Sequence, residues 1–395
     1  MYKNFNFTLN YTSEESDARV GTLSTPHGDI ETPAFIFCAT KGAIKGLDIN
    51  DMKVAGTQFI LSNTYHLFVN PGPEFISKRG GLHKFMGWDG PLLTDSGGFQ
   101  IFSLGHGSVA SEIKGNRMLE SQKSLISIGE EGAIFKSYKD GSKKLLTPEK
   151  AIEIQRMLGS DIILVLDECT PFHVSKDYTK KSMEMSHRWS LRSLQEFKKG
   201  DDGSQALYGI VQGGVYEDLR KESVKFVNDH PFFGVAIGGS LGDKKEKMYE
   251  VVSMTKGILT KERPTHLLGI GGIRDIFEGV KAGVDTFDCV HPTRLARHGG
   301  ALVRSELSGM EGREHINIKN NRYREDDGPI DSSCPCSICE AYSRSYINYL
   351  FRVKELLAIR ALSIHNVATM NRLMFDIREG IKMGNLKSVE KYWLG

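Results

Sequence analysis

Three aspartates stand where apolar runs of the chain stop. Asp95 closes Pro-Leu-Leu-Thr-Asp and is followed by Ser96-Gly97-Gly98-Phe99-Gln100. Asp167 closes Ile-Ile-Leu-Val-Leu-Asp and is followed by Glu168-Cys169-Thr170-Pro171. Asp288 lies in Val-Asp-Thr-Phe-Asp-Cys-Val and leads into His291-Pro292-Thr293-Arg294. Gln212 ends another apolar run ahead of Gly213-Gly214, and Gly238-Gly239 ends the next. A carboxyl group placed after four or five apolar residues is partly desolvated, which raises its pKa. Two such groups can divide the labour of nucleophile and general acid/base. The adjoining glycines let backbone approach a flat ligand closely. A single strand-end Asp often does no more than cap the next helix; three of them beside Gly-Gly turns make a site the better reading. Glu168 is read as a local cap or pair, outside the catalytic set. Gly269-Ile270-Gly271-Gly272 reads as a tight turn into a helix at least as well as a phosphate loop.

A second cluster is of cysteines. The chain has six. Cys38, Cys169 and Cys289 are dispersed, whereas Cys334, Cys336 and Cys339 form C-x-C-x2-C. Three thiolates this close need one more ligand to complete a tetrahedron around zinc. His365, expected just after a helix over 342–361, is the natural fourth, with His315 as competitor. A Cys3His shell is closed, so the expected role is structural.

The elements that must position these groups follow from the apolar pattern. Strands are predicted at 34–39, 58–62, 91–95, 162–167, 206–211, 233–238, 265–270 and 284–290. Most are apolar on consecutive positions, as strands covered on both faces are. Helical patterns separate them, at 177–198, 215–228, 243–259 and 275–282. Thr147-Pro148-Glu149 opens a further helix with an N-cap, a proline at the first position and an acid. Eight strands alternating with helices predict an α/β fold, a (β/α)8 TIM barrel, with an open doubly wound sheet as the alternative. In a parallel barrel all strand C-termini open on one face, so the three aspartates should converge there. The 395 residues are read as one barrel domain over 1–395. A zinc-binding subdomain is expected within it at 291–366, and a long polar loop insertion at 105–146, where Gly, Ser and Lys abound.

Hydrophobic residues make up 39% and charged residues 25%, an ordinary globular composition. The first twenty residues carry no apolar core of a signal peptide, and no apolar run is long enough for a membrane span. The expected compartment is the cytoplasm. Net charge is +2. Residues 291–395 hold 16 Lys+Arg against 12 Asp+Glu, so the basic excess lies in the C-terminal quarter, where it suits a phosphate backbone or simply a solvated face.

Taken together, TDSGGFQ (94–100), DECTP (167–171), GIVQGG (209–214), AIGG (236–239), FDCVHPTR (287–294), NTYHL (63–67), GGLHKFMGW (80–88) and the Cys334/Cys336/Cys339…His365 set resemble tRNA-guanine transglycosylase of the bacterial type over nearly the whole chain. The resemblance implies a homodimeric (β/α)8 enzyme with one structural Zn2+ per chain. Its implied reaction replaces guanine at the wobble position of tRNAs with a GUN anticodon by a 7-deazaguanine, in queuosine modification. By position, Asp288 would be the nucleophile on the ribose anomeric carbon and Asp95 the general acid/base. Asp167, Gln212 and Gly239 would read the purine edge, Phe99 would stack on it, and Arg294 and Arg297 would hold the tRNA. One departure is Ser240-Leu241-Gly242-Asp243, where bacterial members read Leu-Ala-Val-Gly-Glu. The loss of a branched side chain at Gly242 predicts room for queuine itself, while Cys169 matches members that take its 7-aminomethyl precursor. Two competing functions are a non-catalytic zinc-containing tRNA-binding subunit, which would lack the nucleophile, and a glycoside hydrolase, which leaves GGFQ and the cysteines unexplained.

Overall fold

The structure, a computed structural model, describes residues 1–100, 125–310 and 312–395. All eight expected strands form, the fifth with the expected bounds and the others trimmed at one or both ends. They are β1 (Ala34–Cys38), β2 (Ile60–Ser62), β3 (Leu92–Thr94), β4 (Ile162–Leu164), β5 (Ala206–Val211), β6 (Gly234–Ile237), β7 (Thr265–Leu267) and β8 (Thr286–Cys289). Every neighbouring pair is parallel. Pairing of β3 with β4 closes the ring in sequence order, so the barrel is observed and the open sheet is not. The consecutive apolar residues are explained by this closure. One set fills the barrel interior and the alternate set lies under the helices, so β5 is buried at all six positions.

Helices form where the pattern placed them, at Lys176–Lys199, Glu217–Asn228, Lys245–Ile258 and Ile273–Lys281. Thr147 caps the helix Pro148–Leu158 by accepting the Lys150 amide at 3.1 Å.

An N-terminal antiparallel sheet of Asn6–Thr12, Arg19–Thr25 and Gly28–Thr32 lies against the N-terminal ends of the barrel strands. Arg19 anchors it by a buried bidentate pair with Asp285, just ahead of β8, at 2.5 and 2.8 Å. Its turn residue His27 reaches Asp161, just ahead of β4, at 2.6 Å. Of the 105–146 insertion, residues 125–146 are not a loop. They form an antiparallel sheet of Leu125–Gly129, Gly132–Lys136 and Lys143–Leu146. Phe135 seats it on Tyr65, with ring centroids 4.9 Å apart. The rest of the insertion, 105–124, lies outside the described residues.

After β8 the chain builds a second, smaller apolar core, which includes Ala296, Val303, Ile316, Ile338, Ile347 and Leu362. Here one expectation is corrected. Residues 342–361 are two helices, Arg344–Arg352 and the start of Leu356–Lys382. Lys354 adopts φ +61°, and the Glu355 amide donates to the Leu350 carbonyl at 2.9 Å, a Schellman ending. A lysine stands where glycine usually marks such an end, so no composition signal announced the break. His365 consequently lies inside the long helix rather than after a helix. That helix contributes Ala361 and Leu362 to the small core, and Met370, Leu373 and Ile377 to the barrel core. No helix among the described residues is long and apolar enough to cross a membrane.

Candidate active site

Strand register assembles the site. Ser62 pairs with Thr94, so the next residues on each strand, Asn63 and Asp95, emerge side by side at the C-terminal rim. Asp95 accepts the Thr64 amide at 3.0 Å on one oxygen, and the Asn63 side-chain amide on the other. The Asn63 carbonyl oxygen meanwhile accepts the His66 amide at 2.9 Å, as N-cap of Thr64–Val69. Asn63 is therefore held from both ends and cannot turn away from Asp95. Burial pushes the Asp95 pKa up to about 7, against hydrogen bonds from Thr64, Asn63 and Gly97 and with help from the negative charge of Asp288. A carboxyl group poised there can give and take a proton near neutral pH.

Asp288 is held asymmetrically. Its Oδ1 accepts the Gly269 amide at 2.9 Å and faces His266 Nε2 at 3.2 Å. The His266 Nδ1 lies 3.0 Å from the Thr286 hydroxyl. The ring is thus fixed between two partners, with Nε2 turned to Asp288. Among the described residues Oδ2 has only the Cys38 thiol, at 3.7 Å. Burial, reinforced by Asp288, holds the Cys38 pKa well above its ordinary value, so it stays a weak S–H donor. One oxygen of Asp288 is pinned and the other keeps lone pairs free.

Asp167, Gln212 and Gly239 form one contact group. Gln212 Nε2 donates to Asp167 Oδ2 at 2.5 Å, and Ser96 Oγ lies 3.5 Å from Oδ1. Burial pushes Asp167 up to about 7, with Glu168 adding to the rise and the Gln212 and Ser96 bonds opposing it. Gly239 has φ +76°, and a Cβ there would sit 2.4 Å from Gln212 Oε1, so only glycine fits. The half-buried Cys169 thiol, next to Asp167, is pushed up to about 12 by desolvation, with the Asp167 charge adding to the rise.

Phe99 is 52% exposed on the Ser96–Gln100 segment between Asp95 and the insertion. Arg294 and Arg297 lie on the helix His291–Arg297 that leaves β8 directly after Asp288. Arg294 is exposed, and Arg297 lies 3.4 Å from Thr293 Oγ1. Glu168 turns out to be a local pair, accepting Tyr178 OH at 2.6 Å. Gly242 sits in a turn beside the helix Lys245–Ile258. Its φ is +116°, and a Cβ there would meet Lys247 and Val215 rather than Asp167 or Gln212. The Gly269–Gly272 turn supplies an amide to Asp288 and leads into the helix Ile273–Lys281. Asn63, Thr64, His266 and Ser96 were missed as site residues.

The cysteine cluster lies apart, in the small core. Ligand atoms of Cys334, Cys336, Cys339 and His365 all fall within 4.8 Å of one another, whereas His315 sits on the strand His315–Asn317 outside this set. His365 Nε2 faces the Leu302 carbonyl at 2.8 Å, which puts its proton there and turns the bare Nδ1 to the sulfurs. That Nδ1 is 3.4 Å from Cys339 Sγ and 3.7 Å from Cys336 Sγ. A tetrahedron with ordinary Zn–S and Zn–N bonds has S···N edges of about 3.6 Å. The four residues could hold a metal ion, and their donor set and spacing fit zinc.

A second group, His27, His83 and Asp161, does not make such a site. The two rings stack at 3.6 Å with planes 11° apart, so no ion could lie in both ring planes. Both His83 nitrogens already face carbonyls, of Gly159 and Gly90, at 3.1 Å.

Comparison with known proteins agrees with this architecture. The family model described as queuine tRNA-ribosyltransferase matches residues 14–394. The chain is 48% identical to a queuine tRNA-ribosyltransferase of Roseiflexus sp., over 98% of this chain and 99% of that protein. It is 46% identical to one from Chlamydia pneumoniae, over 95% and 98%, and 44% identical to one from Herpetosiphon aurantiacus, over 99% and 92%. With matches running through both the barrel and the cysteine-bearing core, the chain belongs to the queuine tRNA-ribosyltransferase family of glycosyltransferases.

Proposed function

We propose that this enzyme exchanges guanine at the wobble position of GUN-anticodon tRNAs for a 7-deazaguanine, queuine or its 7-aminomethyl precursor, through a covalent Asp288–ribose intermediate. The observation that carries the reading is the pairing of an Asp288 oxygen with free lone pairs and a protonatable Asp95 on the same rim. Asp288 Oδ2 attacks the anomeric carbon as the bond to guanine N9 breaks, and Asp95 supplies the proton that guanine leaves with. The incoming base then gives its N9 proton to Asp95 as N9 displaces the Asp288 ester. Two displacements retain the anomeric configuration, as in a retaining glycosidase with a base in place of water. Asp167, Gln212 and the Gly239 backbone read the purine edge, Phe99 stacks on it, and Arg294 and Arg297 hold phosphates flanking the extruded nucleotide.

Zinc held by Cys334, Cys336, Cys339 and His365 would tie residues 291–366 together as a subdomain of the 1–395 barrel domain and would take no part in the chemistry. We assign the enzyme to the cytoplasm, where these thiols stay reduced, and to a homodimer. Exposed apolar residues support the dimer: Tyr349 at 57%, Val353 at 47% and Leu356 at 81%, on adjoining helices.

The test is incubation with GUN tRNA carrying labelled guanine, chased with each base in turn. Release of label on adding base, with a protein–tRNA adduct trapped beforehand, is expected. A folded, zinc-loaded protein that binds tRNA and releases no label would be the non-catalytic subunit instead.

A further inference from the structure

Arg220 is among the largest fully buried side chains, at 0% exposure, and the chemistry above does not use it. It lies in the first turn of the helix Glu217–Asn228. Its Nε donates to the Gly214 carbonyl at 2.7 Å, Nη1 to Val211 at 3.2 Å and Nη2 to Ser240 at 3.3 Å. Among the described residues no carboxylate makes an ion pair with it. Its pKa, lowered by burial to about 10, still leaves it charged at neutral pH. Burying a guanidinium on carbonyls alone is costly, and natural chains seldom do so without a use for it.

The three carbonyls have one thing in common. Val211 and Gly214 flank Gln212, and Ser240 follows Gly239. The fork thus spans the loop after β5 and the loop after β6, the two that carry Gln212 and Gly239 of the proposed purine-edge groups. The fit between those loops has no slack. A Cβ at Gly238 would lie 3.2 Å from Gln212 Nε2, and one at Gly213 would lie 2.8 Å from the Arg220 amide.

We propose that Arg220 is a positioning residue for the base: its buried guanidinium clamps the loops after β5 and β6 together and so sets the separation of the Gln212 amide from the Gly239 backbone. The proposal rests on the assignment of Asp167, Gln212 and Gly239 to the purine edge. A planar fork with five donors can bridge three carbonyls on two loops, whereas a lysine ammonium is a point donor on a flexible stem. Arg220→Lys therefore keeps the charge and loses the bridge.

The test compares the unmodified protein with Arg220→Lys and Arg220→Met in GUN tRNA and labelled guanine. The KM for guanine should rise about tenfold or more in Arg220→Lys and further in Arg220→Met, since a displacement near 1 Å in such groups costs up to about a hundredfold. The KM for tRNA should stay within about twofold, because phosphate contacts dominate it. Direct guanine binding, read as the rise in melting temperature on adding guanine, should shrink in Arg220→Lys and covers the case in which Arg220→Met does not fold. An unchanged guanine KM and an unchanged guanine-induced shift in Arg220→Lys would overturn the proposal, as would equal increases in both KM values. If the unmodified protein neither exchanges nor binds guanine, the functional reading itself fails, a result distinct from either of these.

Discussion

Replacing Asp95 by Asn should destroy exchange and yet make the protein more stable at alkaline pH. Burial raises this carboxyl from about 4 to about 7 in the folded chain. Between those values the folded state keeps a proton that the unfolded chain has already lost. Its contribution to stability therefore falls as pH rises from about 4 to about 7, and is constant above. Each pH unit is worth about 1.4 kcal/mol, so an ionised Asp95 costs the fold on the order of 4 kcal/mol. Asparagine removes that cost but sets an NH2 group against the Asn63 amide, whose own carbonyl is committed to His66. An unmade hydrogen bond of this kind costs about 1–3 kcal/mol. The net expectation is a gain of about 2 kcal/mol at pH 8.5 that disappears, or reverses, near pH 4. Urea unfolding of both proteins at pH 4.5, 6.5 and 8.5, with equal zinc content, measures it. A stability difference that does not change with pH, or that is unfavourable throughout, would refute the assignment of a desolvated, shifted Asp95.

Three further outcomes follow from other parts of the molecule. Asp288→Asn keeps shape and removes the anionic attacker, so exchange should fall by several orders of magnitude and the trapped tRNA adduct should vanish, as gel analysis would show. Purified protein should carry about one zinc per chain by metal analysis, and Cys336→Ser or His365→Ala should lower both that stoichiometry and the melting temperature. Arg19→Met breaks the buried pair with Asp285 far from the catalytic rim, so it should cost about 3–5 kcal/mol of stability while leaving both KM values of the surviving folded enzyme unchanged.

The barrel was legible because its strands are covered on both faces and so spell themselves as apolar runs bounded by polar residues. The acids were legible because they sit where the runs end. What the chain did not disclose was the side chains that hold those acids. Asn63 reads as an ordinary N-cap and His266 as a polar interruption in a strand. Their roles depend on register, Ser62 opposite Thr94 and His266 opposite Thr286, and register is a relation between segments far apart in sequence. Arg220 was hidden for a related reason, since in a pattern of Glu, Asp, Lys and Arg nothing distinguishes the one cation that turns inward. Gly242 carries a second signal that the sequence did not show: its backbone makes a turn that needs a positive φ.

The long helix Leu356–Lys382 also bears on how such a chain is made. It packs against β1 and the N-terminal sheet, and Arg378 donates to the Pro33 carbonyl at 2.9 Å across 345 residues of sequence. During synthesis the first barrel strand leaves the ribosome with no partner for that face until the long helix, some 345 residues later, follows it. The apolar outer flank of β1 is therefore open to chaperones, proteases and other nascent chains for nearly the whole of that interval. A stop codon ahead of the long helix would remove the cover from β1 and from the N-terminal sheet together.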